Sequence, residues 1–133
     1  MLPSYRVEVS DPADAEAEAA AQRLALLVSA EYAARWYTGL LQAFQTLAVF
    51  PRQHAIADEN DLYSVEVRRM LYYGPGGRRR RGGTVYRVLF HIIEPAEEED
   101  EGERVVRILH VYHGAQRPRG ERAGEPADDP TGS

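Results

Sequence analysis

Arginine carries most of the chemistry available to this 133-residue chain: all 16 basic side chains are arginine, and no lysine occurs. Schiff-base formation, a P-loop lysine and a lysine general base are therefore excluded. With no cysteine, the chain has no disulfide framework, zinc–thiolate site or cysteine nucleophile. Between Val65 and Ile93 seven arginines stand against one acid, Glu66. The net charge of -5 hides this, because the acids are segregated. Residues 94–103 hold seven acids and no base, and residues 118–133 hold four acids against two arginines. Local potential decides whether a polyanion binds. Guanidinium groups hold phosphates bidentately and stabilise charge developing on phosphorus, while a histidine can protonate a leaving oxygen.

Strand alternation says which of these groups share a face. In Val85–Ile93, Tyr86, Val88, Phe90 and Ile92 form a purely apolar set suited to packing under helices. Arg87 and His91 then face the open side, joined by one of Arg68 and Arg69 from the preceding strand. Extending the alternation along the last strand puts His113 with Arg107. The expectation is a concave face with several arginines and one or two histidines, which suits RNA, with Tyr72, Tyr73 or Tyr112 available to stack on a base. A strand histidine is more often structural than catalytic, and the neighbouring arginines raise His113 and Arg87 above that rate. His110 and His113 are at most a two-ligand fragment, so no metal and no cofactor are expected.

The elements that must position these groups read as strand, helix, helix, strand, strand, strand. Tyr5–Val9 is a short first strand. Ser10-Asp11-Pro12 starts a helix, with Asp11 able to cap and Pro12 in the first turn. Ala17, Ala20, Leu24, Leu27 and Val28 recur at helical spacing, and their small members let a second helix approach closely. That second helix covers Glu31–Val49, with Ala33, Trp36, Leu40, Ala43, Phe44 and Leu47 on one stripe, and Phe50-Pro51 ends it. Arg52–Leu62 is a polar connection without periodicity. Strands follow over Ser64–Tyr73, Thr84–Glu94 and Glu103–Tyr112. The fold class is α+β, β-α-α-β-β-β, an antiparallel sheet packed on one face by the N-terminal helix hairpin. One domain spans 1–117, and glycine, proline and acids make 118–133 a disordered tail. No apolar run approaches the roughly 20 residues a bilayer requires, so no membrane role is expected and the composition fits a cytoplasmic protein.

Three short segments carry a family resemblance: Val67-Arg68-Arg69-Met70, Tyr86-Arg87-Val88-Leu89-Phe90, and His110-Val111-Tyr112-His113-Gly114-Ala115-Gln116-Arg117. Together with the element order, they resemble the RelE/ParE superfamily of bacterial type II toxin–antitoxin toxins, over about Tyr5 to Arg117. The resemblance implies a cognate antitoxin as partner and one of two activities. RelE-like members cut mRNA on the ribosome, and ParE-like members inhibit DNA gyrase. In the nuclease reading, which the sequence favours slightly, Arg87 matches the arginine at the scissile phosphate and His113 the near-terminal acid. Arg69 completes the candidate catalytic set. Arg68, Arg78, Arg79, Arg80, Arg81, Arg107 and Arg117 form the candidate nucleic-acid surface. The gyrase-directed alternative draws on the His-Gly-Ala-Gln-Arg ending, which is closer to plasmid-stabilisation members. A third reading is a non-toxic binding domain that kept the fold, which the two enlarged charged loops around Arg78–Arg81 and Glu97–Glu101 would suit.

Overall fold

The computed structural model describes residues 4–75, 85–96 and 102–114. The Arg78–Arg81 run, the acidic stretch Glu97–Glu101, Arg117 and the tail 118–133 lie outside the described residues. The elements are β1 (Arg6–Val9), α1 (Asp11–Leu27), α2 (Ala30–Thr46), β2 (Arg68–Tyr72), β3 (Tyr86–Ile93) and β4 (Val105–His113). Two short 3-10 turns, Pro51–Gln53 and Asp58–Leu62, lie on the connection between α2 and β2.

Serine starts both helices. The Ser10 hydroxyl accepts from Ala13 N–H at 3.2 Å and donates to the Leu109 carbonyl at 3.0 Å. It therefore caps α1 and ties that helix to β4 at once. Asp11 stands one position inside the helix and Pro12 next to it, where a missing N–H costs nothing. Ser29 caps α2 by accepting from Tyr32 N–H at 3.0 Å. Ala13, Ala17 and Ala20 of α1 are buried, as are Ala33, Trp36, Leu40 and Phe44 of α2. The stripe on α1 stops earlier than its spacing predicts. Leu24 is only partly buried, and Leu27 and Val28 are exposed, because the hairpin tip extends past the sheet. The helix α2 likewise ends at Thr46, ahead of Phe50-Pro51. Phe50 has φ 52°, a left-handed conformation unusual for a bulky residue.

The sheet order is β1-β4-β3-β2. β2, β3 and β4 are antiparallel, as predicted, whereas β1 pairs with β4 in parallel. No tight turn joins these two strands. The helix hairpin, β2 and β3 intervene, and so long a connection permits a parallel neighbour. Tyr86, Val88, Phe90 and Ile92 do pack with Ala13, Trp36, Leu40 and Phe44 in the main core. Trp36 meets the rings of Tyr72 and Tyr86 edge-on, at 5.7 and 4.9 Å between centroids.

Candidate functional site

The sheet face away from the helices holds four of the side chains that the sequence singles out, Arg69, Arg87, His91 and Arg107. Register places Arg69 beside Leu89, Leu71 beside Arg87, and His91 beside Arg107, with Glu8 of β1 on the other side of Arg107. Of the adjacent pair, Arg69 is thus the one on this face. Arg68 is paired with Phe90, and its guanidinium donates to the carbonyls of His54 at 2.6 Å and Arg52 at 3.2 Å.

That face is not open throughout. The connection from Ala57 to Val67 folds over it and builds a second small core of Ala57, Val67, Leu89 and Tyr112, with Tyr63 and Leu109 packed alongside. Ala57 N–H donates to Val67 O at 2.9 Å, and the Asn60 side-chain oxygen accepts from Val67 N–H at 2.7 Å. These two bonds pin the turn Asp58–Leu62 above β3. From it Glu59 reaches down to Arg87, forming an ion pair whose side chains are only 7% and 14% exposed. The guanidinium lies over the Tyr112 ring at 5.9 Å. Tyr112 stacks on His110 at 4.9 Å and 11°.

His110 in turn has its Nδ1 3.0 Å from a Glu16 carboxylate oxygen. The other Glu16 oxygen accepts from Val111 N–H at 2.8 Å. β1 has ended at Val9, opposite Ile108, so the β4 edge beyond it has no strand neighbour on that side. Glu16 takes the place of that strand as acceptor.

His113 does not join Arg107 as simple alternation predicts. Leu89 pairs with His110 and Phe90 with Ile108, leaving Leu109 as an extra residue. This bulge reverses the alternation for the rest of β4. His110 and Tyr112 move to the face of Arg87, and His113 moves to the helix side. There it pairs with Tyr86 and meets its ring edge-on at 5.6 Å. Arg87 and His113 therefore stand on opposite faces of the sheet.

Four further arginines, Arg6, Arg52, Arg68 and Arg107, are matched by carboxylates. Arg107 bonds Glu8 at 2.9 Å, and Arg6 bonds Glu8 at 2.9 Å and Glu103 at 3.0 Å. The two guanidinium groups hold the Glu8 carboxyl below the usual carboxylate range. Arg52 pairs with Glu94 at 2.8 Å, Glu94 also accepts from the Tyr5 hydroxyl, and both contacts lower its pKa. Arg68 pairs with Glu66 at 3.2 Å. Arg69 has no carboxylate partner among the described residues. His91 lies 3.0 Å from the Glu66 carbonyl.

Sequence reasoning misses Glu59 and Glu16. The only cue to Glu59 is that Asp58, Glu59 and Asp61 sit among Ala57, Tyr63 and Val67, apolar residues spaced to pack on a sheet. Among the described residues there is no cluster of three or more His, Asp or Glu side chains able to hold a metal, and no helix long and apolar enough to cross a membrane.

No curated relative matches the chain. A family model does match, that of the ParE toxin of the type II toxin–antitoxin system parDE, over residues 7–118. The match runs from β1 past the end of β4 and takes in both helices and all four strands. This chain belongs to the ParE toxin family of type II toxin–antitoxin systems.

Proposed function

We propose that the chain is a toxin that arrests growth by acting on a protein target, DNA gyrase, and not by cutting mRNA, and that a cognate antitoxin holds it inactive. The observation carrying this reading is the Glu59–Arg87 ion pair. An arginine that grips a scissile phosphate needs its donors free at the surface, whereas here a buried carboxylate already occupies the guanidinium. His113, the candidate general acid, stands on the opposite face of the sheet from Arg87, which speaks against the two acting together on one phosphate. Arg107 and Arg68 also face carboxylates, Glu8 and Glu66, in more exposed and weaker pairs. The chain's membership of the ParE toxin family, matched over residues 7–118, supports this reading in so far as ParE-like members are the gyrase-directed branch of the resemblance.

The test is a pair of assays on one purified preparation. Gyrase-driven supercoiling of relaxed plasmid should stop when the chain is added. Primer extension on mRNA in a translating extract should show no new ends. Unimpaired supercoiling together with cuts in the ribosomal A site would restore the nuclease reading. A chain inert in both assays, and harmless when induced alone, would favour a non-toxic binding domain.

A further inference from the structure

The solvent-facing side of a helix ordinarily carries charge, and α1 follows that rule with Asp11, Asp14, Glu18 and Arg23 exposed along it. The second helix does not. From Trp36 to Pro51 the chain has no Asp, Glu, Arg or His. Thr38, Leu41, Gln42, Gln45 and Thr46 are nonetheless exposed there. Leu41 is 41% exposed in the middle of this face, and Val49 and Phe50 follow its end at 46 and 56%.

A knob and a hollow lie on this helix. Phe50 holds φ 52° and ψ 52°, a left-handed backbone that a bulky residue keeps only under constraint. Leu47 and Pro51 on either side are buried. The Ala48 carbonyl accepts from Tyr5 N–H at 2.9 Å, and the Phe50 carbonyl accepts from Gln53 N–H at 3.0 Å. An exposed aromatic ring is thus carried on a fixed backbone, and covering it costs little further ordering. The open hollow has a volume of about 340 Å³ and is lined by Ala34, Arg35, Thr38, Gly39 and Gln42 of α2 and by Pro75 after β2. A cavity of about 150 Å³ is enough to hold a benzene ring.

The knob stands beyond the C-terminal end of the helix that bears the hollow. A two-fold axis that sets two α2 helices antiparallel therefore brings each Phe50 to the other copy's hollow, with both Leu41 side chains between them. Charge selects the same occupant. A nucleic acid or an acidic protein segment needs cations. Among the described residues Arg35 is the one charged group lining the hollow, and its guanidinium lies over the Tyr32 ring at 5.7 Å. Two copies of a chain of net charge -5 repel each other, and they approach at least cost through a face without charge.

We propose that the outer face of α2 is a self-association surface, with Phe50 of each copy seated in the Ala34–Gln42 hollow of the other. This face is separate from the sheet face described above, and the inference does not depend on which target the toxin poisons.

Sedimentation equilibrium of the purified full chain over a wide concentration range tests it. The wild type should show a reversible monomer–dimer equilibrium that tightens as salt is added, because salt screens the repulsion between like-charged copies. Phe50→Gly and, independently, Leu41→Glu should each weaken the dimer at least about tenfold. Both side chains are exposed, and glycine takes up the left-handed backbone without strain, so circular dichroism should find both variants folded. Ala34→Trp fills the hollow and should weaken the dimer likewise. Mixing it with Phe50→Gly restores one knob and one hollow, so the mixture should associate more tightly than either variant alone. A chain monomeric at every concentration would overturn the proposal, as would a dimer that salt dissociates. So would a dimer unchanged in folded Phe50→Gly or Leu41→Glu, or a mixture no tighter than its components.

Discussion

Glu59 and Arg87 are the residues on which the electrostatics of the sheet turn. Two opposite charges taken out of water repay their desolvation only in each other's presence. Arg87→Ala or Glu59→Ala alone should therefore cost about 3–5 kcal/mol in urea denaturation, because each leaves a buried charge uncompensated. The double alanine variant should cost clearly less than the sum of the two. His54 gives a second prediction at this scale. Burial, with Arg68 and Arg69 nearby, lowers its pKa below the ordinary 6.5. As pH falls through that value, the unfolded chain takes up the proton before the folded one does. The stabilising contribution of neutral His54 is thus present above pH 6.5 and is withdrawn on the way down to the folded pKa. Replacing His54 by Gln should flatten the fall in Tm on going from about pH 7 to pH 5, and an unchanged slope would remove His54 from the account.

Among the elements, α2 and β2 set the tightest constraint. The Tyr72 hydroxyl donates to the Trp36 carbonyl at 2.7 Å, passing so close to Gly39 that an added Cβ would lie 2.3 Å from it. Burial pushes that hydroxyl's pKa up to about 12, so it stays a donor throughout the working range. Alanine at position 39 gains helix propensity of about 1 kcal/mol, yet overpacking should outweigh it and leave a net loss of about 1–2 kcal/mol. Tyr72→Phe in the same chain should recover part of that loss, as thermal unfolding of the single and double variants would report. The elements themselves were largely legible, because a period of two or of three to four residues is local information. Tyr86, Val88, Phe90 and Ile92 needed nothing else to be assigned to the helix side. The bulge at Leu109 was not legible. Neither Leu109 nor His110 marks it, and it falls where β1 ends opposite Ile108 and Glu16 takes over as acceptor at Val111. The parallel direction of β1 was hidden for a similar reason, since nothing local to Arg6–Val9 encodes its neighbour.

At the scale of the whole molecule, and among the described residues, charge segregation along the chain overstates charge segregation in space. Acids distant in sequence return to the arginines: Glu8 to Arg107, Glu59 to Arg87, and Glu94 to Arg52. A window such as Val65–Ile93 counts seven arginines and cannot count Glu59, which folds onto one of them, Arg87. The family was nonetheless readable from short segments in the right order, because that order is written along the chain even where the pairing of side chains is not. The candidate site was readable only as far as the face on which Arg69, Arg87, His91 and Arg107 lie. Its covering by the Ala57–Val67 connection is a tertiary event without periodicity to announce it.

Whether the Arg87 guanidinium serves the scaffold or the poisoning chemistry can be read from growth after induction of an Arg87→Met/Glu59→Leu chain. Apolar side chains of similar size commonly replace a buried ion pair without loss of fold. The account predicts that this double variant, soluble and folded by circular dichroism, still arrests growth as the wild type does. A folded double variant that lets cells grow normally would contradict it and return Arg87 to the active site.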